Sequence, residues 1–355
     1  MALFGFAAPA FADRIILRNL TVLNDVTVEN FDLDGVRLAD GRTFGWDEIE
    51  RGQIAADRQA EFNQALGELG IPLLRIRQNL ESGAEGRLAE VVEPVLEKYR
   101  DRRGPTAYLV NQAAMWGRLA QGRREEATVS YLRCLALLSE DRTVADRLPG
   151  KRRLQVDPAT GLAREISPIY FDATAARQAY AEVVATIRER KLRQPGLYAY
   201  AAALAIASGD LDVAQNIQAS LQGDAREIVA LRDLLGMELA LARKMPDVAA
   251  ARTGFPRWTE LAPSLQPAWI YASGAAIASS DDAAIRDEGI AAMLHLPALF
   301  AASEPVVAAA ALAEAAQVLE RAGDAKGAAR LRAELNARFS GTAFARDESA
   351  PAPSG

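Results

Sequence analysis

Residues 107–138 read AYLVNQAAMWGRLAQGRREEATVSYLRCLALL, and the reading of this stretch decides the fold. It is rich in Ala, Leu, Glu and Arg, good helix formers, and of its two glycines, Gly117 and Gly122, the second opens a polar break near the middle. The same character runs from Arg51 to about Phe339, so nearly all of the chain reads as helices of moderate length. Joints like the one at Gly122 recur: ESGAEGRLAEVV around Gly83, ASGDLDVAQNI around Gly209 and RAGDAKGAARL around Gly323, with weaker ones at Met245 and Ser279. Gly83 and Gly122 are 39 residues apart, and Gly209 precedes the Lys244 joint by 35. Periods of this size mark stacked helical hairpins, each burying its apolar face only by leaning on the next.

The joints resemble those of tetratricopeptide (TPR) repeats, two-helix units that stack into superhelices with a concave binding face. On that resemblance Gly122 ends the first helix of a unit, Ala127 is the small contact residue of the second, and Tyr131 and Cys134 follow on its buried side. After Gly209 and Gly323 the small residue is present as Ala214 and Ala328, but Gln218 and Arg332 take the aromatic place. The expected class is therefore mainly α: an α-solenoid of TPR-like helical hairpins over residues 51–340, preceded by a small β-unit.

That β-unit covers residues 13–50, where β-branched and apolar runs alternate with turn signals. Asp40-Gly41, between GVRL and RTFGW, is the strongest hairpin signal in the chain. The adjoining WDEIE, residues 46–50, poses a choice between an acidic reaction centre and a structural join. With Asp47 as helix N-cap and Glu50 three residues on, it reads as a capping box opening the first helix, with Trp46 stapling the β-unit onto it. Residues 151–172 interrupt the helical pattern with two β-like runs around Asp157-Pro158-Ala159-Thr160-Gly161, a hairpin-like insertion. Residues 341–355 have the composition of a disordered tail. Residues 1–12 are a compact apolar run ending in Ala10-Phe11-Ala12, the small-x-small pattern of a signal-peptide remnant. Export to a periplasmic or secreted location is expected, with the cytoplasm as the alternative.

Composition restricts the chemistry. One histidine, His295, and one cysteine, Cys134, exclude an intrachain disulfide and any Cys/His zinc site of three or four ligands. His295 lies at an apolar helix end and Cys134 on an apolar helix, where both read as packed residues rather than catalytic ones. No phosphate-binding glycine motif of either common type is present. No catalytic residue, metal ligand or cofactor is assigned, and no run of about 20 apolar residues is available to span a bilayer.

Charge is uneven. Residues 87–193 hold 20 Lys or Arg against 14 Asp or Glu, whereas the rest of the chain holds 21 against 33. The excess, concentrated in KYRDRR, GRR, DRLPGKRR and RERKLR, suits an acidic partner protein, an anionic polysaccharide or a membrane surface. A chain pI near 5.2 and the lack of interleaved aromatics disfavour nucleic acid. The candidate binding residues are Arg123, Arg124, Lys151, Arg152, Arg153, Trp258 and Trp269, with Tyr198 and Tyr200 as further aromatic anchors. Together these features lead to the expectation of a non-enzymatic binding or scaffolding protein with a concave, partly basic face. The rival is a carboxylate-dependent hydrolase or carbohydrate-active enzyme on a helical scaffold.

Overall fold

The computed structural model describes residues 13–146 and 148–346, so the apolar run 1–12 and residues 347–355 of the tail lie outside the described residues. The chain is mainly helical with a small N-terminal β-unit, and its contacts divide it into two compact units. The first comprises Met1–Gly117 and Arg133–Arg152; the second comprises Arg118–Leu132 and Arg153–Gly355.

In the first unit six strands form two antiparallel three-stranded sheets. They are β1 (Asp13–Leu17), β2 (Val22–Val26), β3 (Val28–Asp32), β4 (Gly35–Leu38), β5 (Thr43–Phe44) and β6 (Ile49–Gln53), in the orders β2-β1-β6 and β3-β4-β5. The Asp40-Gly41 turn joins β4 to β5 as expected, with Gly41 at φ +87° and its N–H on the Leu38 carbonyl at 2.9 Å. Asp13 ties the two sheets together, its Oδ2 accepting from the Val28 amide at 2.6 Å.

The WDEIE stretch does not open a helix. Residues 46–48 form a single 3-10 turn, and the chain continues into β6, which pairs with β1 as far as Gln53. Two interactions decide this. Glu48, not Glu50, reaches back to the Gly45 amide at 2.7 Å, and Asp47 is drawn to the Arg77 guanidinium at 2.5 Å instead of capping. Glu50 points from the strand to Arg18 at 2.5 Å. The first helix, α1 (Gln59–Ala65), begins nine residues after Glu50. Trp46 acts as the expected staple: it is fully buried, donates its indole N–H to the Asp32 carbonyl at 2.6 Å, and packs edge-on against Phe31 of β3 and Phe62 of α1. After α1 come α2 (Ile71–Ser82), α3 (Leu88–Leu96) and α4 (Pro105–Ala120). Between α3 and α4, Tyr99 donates to the Leu33 carbonyl at 2.5 Å, fixing helix to β-unit.

The helix α5 (Arg124–Glu140) starts in the second unit, which continues with α6 (Ala173–Glu189), α7 (Pro195–Ser208), α8 (Leu211–Ser220), α9 (Arg226–Ala242), α10 (Val248–Gly254), α11 (Gln266–Ala278), α12 (Ala283–Met293), α13 (His295–Leu299), α14 (Pro305–Arg321), α15 (Ala325–Phe339) and α16 (Ala343–Arg346). Consecutive helices pack on one another, most extensively α6 on α7, α7 on α8, α11 on α12 and α14 on α15, while α7, α9, α11 and α14 lean on one another in that order. This is the behaviour of stacked hairpins, in which one layer of helices carries the shared core. At the joints, Gly83, Gly122, Gly209 and Gly323 take φ of +71°, +77°, +88° and +85°, the left-handed closure that glycine adopts without a Cβ clash. Between α11 and α12 the backbones themselves touch: a Cβ on Gly289 would lie 2.2 Å from the Ala278 nitrogen.

Residues 153–172 make no strands, only a single bridge between Val156 and Ala163 around the Asp157 turn. Much of the stretch is interior rather than a surface excursion. Leu162, Ala163, Ile166 and Ser167 are buried, and Tyr131 donates to the Gly161 carbonyl at 2.5 Å. Tyr200 accepts from the Ala163 amide at 3.0 Å and donates to the Ile166 carbonyl at 2.7 Å. The first residues of the expected tail form α16, which sets Phe344 edge-on against Phe171.

Candidate functional site

The residues selected from sequence have different structural fates. Lys151 and Arg152 belong to the first unit, where Arg152 lies 3.6 Å over the Trp116 ring and pairs with Glu85, while Lys151 is exposed. The other five belong to the second unit. Arg123 is paired locally with Glu126, Nε to Oε1 at 2.7 Å, and Arg153 is exposed. Arg124 does not reach the surface: its side chain is 3% exposed and forms an ion pair with Glu304, itself 2% exposed. Trp258 is half-buried against His295, and Trp269 is 2% exposed beneath the Arg257 guanidinium. Tyr200 is wholly interior. His295 places Nδ1 3.0 Å from the Ala291 carbonyl, a packing role as expected. Cys134 is fully buried, and burial pushes its thiol well above the ordinary range.

A different set meets in a groove of about 450 Å³ lined by α6, α7 and α8. Along α6, Tyr180, Val184, Ile187 and Arg188 fall at i, i+4, i+7 and i+8, so one helical face supplies one wall, and Lys191 follows just past the helix end. Tyr198 and Ala201, one turn apart on α7, and Ile217 of α8 complete an apolar lining. At the α6–α7 joint Lys191 takes a left-handed φ of +54°, Leu192 tucks inward, and Arg193 turns back out before Pro195 starts α7. The joint thus puts two cations beside the Arg188 guanidinium at the edge of an apolar groove. Among the described residues no carboxylate pairs with Arg188, Lys191 or Arg193. Elsewhere in the chain Arg226 holds Glu260 at 2.6 Å and Arg252 holds Glu288 at 2.8 Å.

The first unit has its own cavity, of about 510 Å³, beside the WDEIE turn and lined by Asp34, Thr43, Asp47, Glu48, Arg77 and Thr106 among others. Its carboxylates serve the fold: Asp47 holds Arg77, Glu48 holds the Gly45 amide, and Asp34 accepts from Arg102 at 2.7 Å. Burial nevertheless raises the Asp34 pKa against the opposing pull of Arg102. Among the described residues no group of three or more His, Cys, Asp or Glu is placed to hold a metal ion, and no helix is long and apolar enough to cross a membrane.

No protein-family model matches the chain, and no curated protein or solved structure shows significant similarity to it. The groove therefore has to be read from its own chemistry. Its cations were visible in RERKLR, and the apolar half was available as the α6 spacing of Tyr180, Val184 and Ile187, which the selection of tryptophans and of arginines near residue 152 passed over.

Proposed function

We propose that this protein is a non-enzymatic protein-interaction or scaffolding protein of tetratricopeptide-like type, exported from the cytoplasm, that holds an acidic amphipathic segment of a partner in the α6–α8 groove. The observation that carries this reading is the meeting of an apolar lining with three cations that pair with no carboxylate among the described residues. Apolar side chains of a ligand helix at i, i+3 and i+4 would fill the groove between Tyr180, Ile187 and Tyr198, and its flanking Asp or Glu would meet Arg188, Lys191 and Arg193. The apolar lining favours a peptide over an anionic polysaccharide, which has carboxylates or sulfates but little to bury beside Val184 and Ile217. The cations would raise the association rate and select the sign of the partner, while the apolar contacts would slow its release.

The test is selection from a displayed random-peptide library on the immobilised full chain, counter-selected on the triple variant Arg188→Glu, Lys191→Glu, Arg193→Glu. Enrichment of sequences combining Asp or Glu with Leu, Ile or Phe at helical spacing supports the reading. Enriched sequences that bind both proteins equally contradict it.

A second reading, a carboxylate-dependent hydrolase or carbohydrate-active enzyme, draws on the three carboxylates lining the first unit's cavity. Asp34, with its raised pKa, would be the acid, and Asp47, held by Arg77, the second carboxylate. Hydrolysis of 4-nitrophenyl glycosides by the wild type that is lost in Asp34→Asn would favour it, and an inert wild type would dispose of it.

A further inference from the structure

The WDEIE turn holds carboxylate oxygens for which the fold has no use. Asp47 is 7% exposed and lines the first unit's cavity of about 510 Å³, a volume in the range that small ligands occupy. Its Oδ2 takes the Arg77 guanidinium at 2.5 Å. Its Oδ1 accepts from no donor among the described residues and, unlike the occluded Oδ1 of Asp34, stays reachable from the cavity. The position of Oδ1 follows from Gly45, which also lines the cavity: a Cβ there would lie 2.6 Å from Asp47 Oδ1 and 3.6 Å from Glu48 Oε2. Two carboxylates therefore flank one point on the wall, and glycine leaves that point open.

The charges around this point do not cancel. Arg77 answers Asp47, and Arg102 is shared by Asp32 and Asp34 at 2.6 and 2.7 Å. Glu48 pairs with no lysine or arginine among the described residues; its Oε2 accepts the Gly45 amide at 2.7 Å, and its Oε1 accepts nothing. The balance is negative. The hydroxyls of Thr43 and Thr106 also make no hydrogen bond among the described residues. The rest of the lining is apolar: Pro105, which has no N–H to give, Leu109 one turn further along α4, and Val144 and Leu148. A divalent metal ion is poorly served, because it takes about six oxygens and no metal-holding group of three or more His, Cys, Asp or Glu forms among the described residues. An ammonium, with its N–H donors and single positive charge, needs only the acceptors that this wall supplies.

We infer that this cavity binds a primary amine with an apolar body. Asp47 Oδ1 and Glu48 accept from the ammonium, a threonine hydroxyl takes its remaining N–H, and the apolar body packs against Leu109, Val144 and Leu148. No bond is made or broken. Glu48 has no part in the hydrolytic reading of the same cavity, and the α6–α8 groove shares no residue with it, so neither reading stands or falls with this site.

The test titrates the full chain with tryptamine and tryptophol, alike in ring and chain and differing by an ammonium against a hydroxyl, using ligand-observed NMR. Tryptamine is expected to bind saturably and at least about tenfold more tightly than tryptophol, the effect of charge-assisted hydrogen bonds over neutral ones. Glu48→Gln keeps an oxygen for the Gly45 amide and removes the charge, and should weaken tryptamine about tenfold while leaving tryptophol unchanged. Thr106→Arg, at a half-exposed position, brings a guanidinium to the lining and should abolish tryptamine binding. No saturable binding of tryptamine to the wild type, equal binding of the two probes, or undiminished tryptamine binding to either variant overturns the assignment.

Discussion

Arg124 at the start of α5 and Glu304 just before α14, 180 residues apart, form a buried ion pair that grips Ser167 from both sides. Arg124 Nη2 donates to the Ser167 carbonyl at 2.9 Å, and Glu304 Oε1 accepts from the Ser167 amide at 2.9 Å. The segment that interrupts the helical pattern is thereby fastened inside the second unit. An arginine selected for binding turns out to hold the interior together. Removing one member of such a pair strands a charge in low dielectric. Arg124→Met is expected to cost about 3–5 kcal/mol in urea unfolding, and the double variant Arg124→Met, Glu304→Met substantially less than the sum of the two single changes.

Trp46 carries the join between β-unit and helices. Trp46→Ala removes a fully buried aromatic packed on Phe31 and Phe62, and about 3–5 kcal/mol of stability should go with it. Glu48→Ala loses an exposed side chain's hydrogen bond to one amide and should cost no more than about 1 kcal/mol in the same denaturation measurement.

Glu238 in α9 is 6% exposed, has an unpartnered Oε1, and is shifted well above the ordinary carboxylate pKa by burial alone. The folded state therefore keeps its proton at pH values where the unfolded chain has released it. Above the unfolded pKa the native state binds more protons, so stability falls with rising pH, by up to about 1.4 kcal/mol per unit, until the raised folded pKa is passed. Glu238→Gln should flatten that slope between pH 5 and 7 (about the range just above an unfolded glutamate), as read from unfolding midpoints across pH.

Cys134 combines full burial with a thiol pushed upward by desolvation. Ellman's reagent should fail to modify it in the native protein at neutral pH and should titrate one thiol per chain in denaturant.

The helical hairpins were legible because their punctuation is local. Gly83, Gly122, Gly209 and Gly323 announce left-handed closures in their own sequence context, and all four adopt them. The Asp40-Gly41 hairpin and the packing of Trp46 were legible for the same reason. The WDEIE stretch was misread because its outcome depends on partners far along the chain. Arg77 takes the Asp47 carboxylate and β1 takes the backbone of β6, and neither can be inferred from residues 46–50. Arg124 was misassigned similarly, since its partner Glu304 is distant in sequence. The α6–α8 groove was half legible: Arg188–Arg193 stood out as charge, but Tyr198 and Ile217 join Tyr180 and Ile187 only when three helices pack.

The central claim, an apolar groove that selects an acidic segment through Arg188, Lys191 and Arg193, is most directly tested by fluorescence anisotropy with a labelled amphipathic helix whose leucine face is flanked by glutamates. Saturable binding is predicted at low salt, weakened as salt rises because the rim cations are solvent-exposed, and at least tenfold poorer in the triple charge-reversal variant. Binding of the same affinity to wild type and triple variant, or no binding to the wild type at low salt, would contradict it.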